Sequence, residues 1–270
     1  MNAATGRAPA VTSDTEARSD EADVTADQGP DSMLPELRVS TAAASRYAKT
    51  AMGFLGLGML LVLVLAIKRV APDFLGGAAF LSYGRLVPAT TTLLLYGWLT
   101  IGLLGALLFI VPRAARSDFE DGAILRTALG LLALAYIAGA VAVLVGFSEG
   151  RRYLESPLVI DIVALVGLVG VARAITRVAR KAPEALPEVW YSAAAVIWLV
   201  LAHIVGNIPG LTGYASQLQS SFYRSSLIGL WLATATVAVV YYAIPRLGGR
   251  PPLRATRLSV LGIWSLGFIW

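Results

Sequence analysis

The sequence predicts an all-α fold: a polytopic bundle of transmembrane helices, six complete and a seventh cut short, behind a disordered N-terminal tail. Three observations carry that expectation. Hydrophobic residues make up 57% of the 270 positions and charged residues 14%, where a soluble domain carries roughly 25% charge. From Ser45 onward, apolar runs alternate with short charged links, and about 20 apolar residues are needed to cross roughly 30 Å of hydrocarbon. Ahead of that point large apolar residues are scarce.

The first forty residues hold eight acids and three arginines, a net of −5, among Ala, Thr and Ser. Such a segment buries too little surface to offset its chain entropy. It is too acidic, and lacks the apolar stretch, to be a signal or transit peptide. The expected division is therefore an acidic cytoplasmic tail over 1–44 and a membrane domain over 45–270.

Thr50 to Ile67 is the first span, closed by Lys68 and Arg69. Pro88 to Pro112 is the second, with proline in the first turn, where its missing N–H has no helical partner anyway. Ala123 to Phe147 is the third. Pro157 to Thr176 is the fourth, again opened by proline; its Gly167 and Gly170 read as small residues that let a neighbouring helix come close. Val189 to Gly206 is the fifth and Ser225 to Pro245 the sixth. A seventh begins near Leu258; its thirteen residues to Trp270 rise only about 20 Å, so the chain reads as stopping inside it.

Lys and Arg set the orientation. With the N-terminus inside, inner segments hold sixteen and outer links six, and the bias survives removal of the distant Arg7 and Arg18; the positive-inside rule then places the N-terminus in the cytoplasm. The net charge of +5 belongs to such loops and not to a nucleic-acid surface. Aromatic residues near the boundaries (Phe80, Tyr83, Tyr153, Trp190, Tyr191, Phe222, Tyr223, Tyr241, Tyr242) are expected to anchor at headgroup level.

Chemistry-bearing residues are few. Cysteine is absent and His203 is the single histidine. No phosphate-binding Gly-Lys-Ser/Thr loop, paired-His zinc helix or nucleophile elbow occurs. Transition-metal sites usually take three or four ligands, so His203, near the end of the fifth span, is expected to hydrogen-bond a neighbouring helix or Asn207. Asp161 falls in the first turn of the fourth span and complements that positive helix terminus. Thr90, Thr91, Thr92 and Thr100 are expected to bond their own backbone or a facing helix.

Four stretches, in order, resemble one family. They are Pro72-Asp73-Phe74 through Tyr83-Gly84-Arg85-Leu86-Val87-Pro88 to Tyr96-Gly97-Trp98; Gly150-Arg151-Arg152-Tyr153-Leu154-Glu155-Ser156-Pro157 with Asp161-Ile162; Trp190-Tyr191 with Leu201-Ala202-His203-Ile204-Val205-Gly206-Asn207; and Tyr241-Tyr242-Ala243-Ile244-Pro245-Arg246 with Arg257-Leu258-Ser259-Val260 and Trp264. Their spacing resembles the first seven helices of haem–copper oxidase subunit I, most closely the C-family (cbb-type) cytochrome c oxidases, over roughly residues 45–270. The resemblance implies a respiratory-chain protein of the bacterial-type cytoplasmic membrane, in contact with the lipid bilayer and other respiratory-complex subunits. It also implies haem b, copper and the reduction of oxygen to water.

The family's second-helix pattern G-R-L-x-P-x-H-T carries a haem-ligating histidine, and that position here is Thr90. Its sixth-helix pattern W-Y-G-H-N carries a copper-ligating histidine; the corresponding run Phe222-Tyr223-Arg224-Ser225-Ser226 places Ser225 there. His203 matches a fifth-helix histidine that is not taken as a metal ligand. Haem-iron ligands are His, Met, Cys or Tyr, and neither hydroxyl qualifies. Two readings stand: a divergent oxidase subunit I that is not catalytic as this chain alone, or a metal-free membrane scaffold, assembly or permeation protein derived from that fold. An unrelated transporter would show inverted repeats around a midplane site; none is visible.

Overall fold

The computed structural model describes residues 37–254 and 257–269. Among the described residues the chain forms seven helices and no named strand. We number them α1 (Arg38–Val70), α2 (Tyr83–Ala115), α3 (Gly122–Val145), α4 (Leu158–Ala179), α5 (Pro187–Gly206), α6 (Gly213–Leu247) and α7 (Arg257–Ile269). The first six are long and apolar enough to cross a membrane, and the protein is an integral membrane protein. α7, at 13 residues, is shorter than a span.

Three helices run well beyond the apolar stretches that predict them, each because a tertiary contact anchors the polar extension. α1 starts at Arg38, twelve residues before Thr50. Its first turn is capped from the α2–α3 loop, where Asp118 accepts from Val39 N–H at 2.8 Å and Ser40 N–H at 2.9 Å. Residues 1–36 of the expected tail lie outside the described residues, and from Arg38 to Ala44 the chain is helical. α2 starts at Tyr83, which places Pro88 inside the helix instead of in its first turn. Arg85 holds that extension by donating to the Leu144 carbonyl, 3.1 Å away at the end of α3. α6 starts at Gly213, twelve residues ahead of Ser225; Gln219 ties it down by donating to Val205 O at 2.8 Å and Ile208 O at 3.0 Å.

α2 is the axis of the bundle. It packs against α1, α3, α4, α5 and α6, and 56% of its most apolar stretch is buried, against 17% for α1. α1 shows Met52, Leu60 and Leu63 to the surroundings, each more than half exposed. Apolar side chains there suit lipid and would be costly in water. Consecutive helices pair as α1 with α2, α3 with α4 and α5 with α6. Small residues set the distances: a Cβ on Gly105 would stand 2.9 Å from Tyr47 Cβ, and one on Gly167 would stand 3.0 Å from the Ala128 carbonyl. Backbones approach this closely only where side chains are small.

Both α2 and α6 widen in the middle to i→i+5 bonding, over Thr92–Thr100 and Ser226–Ala233. The two wide segments meet where Trp231, fully buried, donates its indole N–H to Thr100 Oγ1 at 3.3 Å. Thr91, Thr92 and Thr100 return their hydroxyl protons to carbonyls of their own helix, as expected. Thr90 differs: its Oγ1 is buried with no hydrogen-bond partner.

Of the aromatic residues expected at the boundaries, Phe80, Tyr83, Trp190 and Phe222 are exposed, as anchoring requires. Two tyrosines are buried instead. Tyr191 is buried and donates to Ser259 O at 2.8 Å, tying α5 to α7. Tyr223 is fully buried and points into the bundle. The helix extends through polar turns from Gly213 and turns the ring inward, which an apolar run starting at Ser225 does not reveal.

Candidate functional site

The densest group of buried polar side chains lies at the end of the bundle opposite the start of α1. The start of α4, the end of α5, the start of α6 and the α3–α4 link meet there. His203 is its centre, 4% exposed on the last turn of α5. Its Nε2 lies 3.2 Å from the Asp161 carbonyl and its Nδ1 lies 3.2 Å from Tyr223 Oη. A carbonyl can only accept, so Nε2 carries a proton; in the neutral ring Nδ1 then accepts from the Tyr223 hydroxyl. Asn207 bonds the His203 backbone carbonyl at 3.0 Å and not the imidazole; the ring's partners are the neighbouring helices α4 and α6.

Asp161 stands one turn into α4, as its sequence position implies, but the side chain is 8% exposed and its Oδ2 has no hydrogen-bond partner. It borders a void of about 10 Å³ shared with Tyr96, Tyr136, Glu155, His203 and Tyr223. A void of that size admits one water at most. Tyr96 donates to the Tyr153 carbonyl and stacks on Tyr136 with ring centroids 5.6 Å apart. Glu155, in the link between α3 and α4, has its carboxyl pushed above the usual carboxylate range by burial, with Arg152 opposing the shift.

A polar vestibule lies beside this group. Arg151 donates to Gly206 O at 3.0 Å and to Gln219 Oε1 at 3.1 Å, and it pairs with Glu149. One guanidinium thereby joins the α3–α4 link to the ends of α5 and α6. At the opposite end of the bundle the fully buried Glu188 of α5 faces Arg246 of α6 at 3.6 Å.

Of the residues singled out in sequence, the structure brings His203 and Asp161 together and leaves Thr90 and Ser225 outside the void. Ser225 is half-buried at the turn where α6 begins to widen. Tyr96, Tyr136, Glu155 and Tyr223 enter the group without having been singled out for chemistry. Tyr223 lies twenty residues from His203 on another helix, beyond the reach of any helical period. The one signal for it was its place inside the run matched to the sixth-helix pattern W-Y-G-H-N, where it falls on the tyrosine.

Three donor types bear on haem and copper. Thr90 and Ser225 offer only hydroxyls. Both His203 nitrogens are engaged, and the described methionines, Met52 and Met59, face outward on α1. Among the described residues no group of three His, Cys, Asp or Glu side chains could hold a metal ion. Haem iron takes His, Met, Cys or Tyr, and copper takes imidazole or sulfur; the hydroxyls of Tyr96 and Tyr223 are bound to the Tyr153 carbonyl and to His203, so the donors present do not fit a histidine-held haem or copper.

The sequence profile described as Cytochrome C and Quinol oxidase polypeptide I matches residues 42–270. The chain is 25% identical over 240 residues to a protein named "Cytochrome c oxidase subunit 1 homolog" from Agrobacterium tumefaciens (strain T37), covering 83% of this chain and 44% of that one. It is 25% identical over 236 residues to "Cytochrome c oxidase subunit 1" of Rhodobacter capsulatus, covering 79% and 43%. A third relative, "Cytochrome c oxidase subunit 1 homolog, bacteroid" from Bradyrhizobium diazoefficiens, is 24% identical over 231 residues, covering 79% and 41%. The chain spans less than half the length of each of these relatives. With the profile running unbroken through all seven helices, the chain belongs to the cytochrome c and quinol oxidase polypeptide I family, as a divergent, subunit I-like membrane protein.

Proposed function

We propose that this chain serves as a non-catalytic helical scaffold of the respiratory membrane, descended from an oxygen-reducing subunit and holding neither haem nor copper by itself. One observation carries the reading: its single histidine has both ring nitrogens bound to Asp161 and Tyr223. Recruiting either nitrogen to a metal would leave a buried carbonyl or hydroxyl unpaired, at a cost of about 1–3 kcal/mol. Thr90 and Ser225, at the positions matched to family ligands, leave no replacement donor. What the fold retains is packing, with α2 as the axis and two wide helical segments locked by Trp231 and Thr100. In this reading its partners are other respiratory-complex subunits, and its N-terminus faces the cytoplasm.

The test is a reduced-minus-oxidised optical spectrum of the detergent-purified chain, with haem and copper quantified per polypeptide. A flat spectrum and less than one tenth of a metal per chain is the expected result (an order-of-magnitude threshold, roughly trace occupancy). A b-type band at one haem per chain would overturn it and return the protein to the oxygen-reducing class.

A further inference from the structure

The end of α4 carries Arg173 and Arg177 one turn apart, and Lys181 follows in the turn just beyond it. They border a groove against the start of α3 whose floor is Phe119, Ile124, Ala174 and Val178. Glu120 and Asp121 line the same groove, and each is engaged. Glu120 is bound to Lys181 at 2.6 Å, and Asp121 caps α3 by accepting from Ala123 N–H at 2.7 Å. Arg177 feels the field of Glu120 but forms no ion pair with it. Arg173 has no carboxylate partner among the described residues, and both arginines are exposed.

Depth makes this arrangement demand a counter-charge. Counting from Leu158, Arg173 has risen about 22 Å along α4 in a hydrocarbon layer of roughly 30 Å. Its guanidinium reaches the boundary only by extending its stem toward the headgroups. A cation at that depth with no protein partner is stabilised by pairing, and the chemistry at the boundary is phosphate. Arginine matches phosphate with two parallel hydrogen bonds.

We propose that the groove between the start of α3 and the end of α4 binds an anionic phospholipid. Its headgroup phosphate sits between Arg173 and Arg177, and the first methylenes of one acyl chain lie on Phe119, Ile124, Ala174 and Val178. The apolar floor distinguishes this from a site for a free anion, which would have no use for it. The site is built from α3, α4 and the links beside them, and is independent of whether the chain ever holds a metal.

The experiment is native mass spectrometry of the full chain released from mixed micelles of phosphatidylglycerol and phosphatidylcholine. The wild type is expected to retain phosphatidylglycerol in preference to phosphatidylcholine. An Arg173→Gln/Arg177→Gln variant should lose about 25-fold in apparent affinity, at roughly five-fold per cation near the membrane surface. Arg46→Gln/Arg250→Gln removes the same charge from exposed positions elsewhere and should change nothing, while Arg173→Lys, which keeps the charge but loses the paired hydrogen bonds, should bind between the wild type and the double variant. Equal loss in both double variants would overturn the site in favour of diffuse attraction. Displacement of the lipid by millimolar inorganic phosphate would overturn it in favour of a free-anion site.

Discussion

Tyr223 decides what His203 can do. The Asp161 carbonyl puts a proton on Nε2, and in the neutral ring Nδ1 accepts from the Tyr223 hydroxyl at 3.2 Å. Tyr223→Phe keeps the ring but removes the proton, leaving a buried imidazole nitrogen without a donor. The expected loss is about 1–2 kcal/mol of stability, read as a lowered Tm in detergent, with Phe222→Leu, an exposed neighbour, near zero. An unchanged Tm for Tyr223→Phe would mean that water replaces the hydroxyl and that the ring is not held as described. At this scale the sequence was informative about identity and silent about pairing. A lone histidine without companion ligands pointed to hydrogen bonding. Tyr223 and Asp161 as its partners emerge only when three helices are packed.

The helices show the same division. Hydropathy located all six spans, because twenty apolar residues in a row have few fates other than lipid or a large core. It misplaced the starts of α1, α2 and α6 because each extension is polar and held by a distant group: Asp118 for α1, Leu144 O for α2, Val205 O and Ile208 O for α6. Asp118 is a helix cap supplied from 79 residues away. Asp118→Ala should cost about 1 kcal/mol, the usual worth of an N-cap. It should also raise hydrogen exchange at the amides of Val39 and Ser40 while leaving the middle of α1 protected. Uniform exchange across α1 would show that the whole helix depends on the cap.

Orientation and family membership belong to the whole molecule. The Lys/Arg bias and the pairing of the α2–α3 loop with the start of α1 place the α2–α3 and α4–α5 links on the side of the N-terminus. The absence of native cysteine makes single-cysteine labelling clean. Glu184→Cys, in the α4–α5 link, should react with a membrane-impermeant maleimide only after cells are opened, and Ser148→Cys, in the α3–α4 link, should react in intact cells. The reverse pattern would invert the proposed topology.

By itself the sequence determined the fold class, the number of spans, the family and the scarcity of metal donors, because each depends on composition and on order along the chain. It could also show that Thr90 and Ser225 lack a nitrogen. Tertiary structure decided which polar groups are satisfied: that His203 spends both nitrogens, that Asp161 Oδ2 and Thr90 Oγ1 are buried unpaired, and that Arg173 is exposed with no ion pair among the described residues. Burial and pairing are relations between helices far apart in sequence. In a bilayer, where water cannot settle a polar group left over, those relations separate a residue that holds the bundle together from one free to bind a ligand.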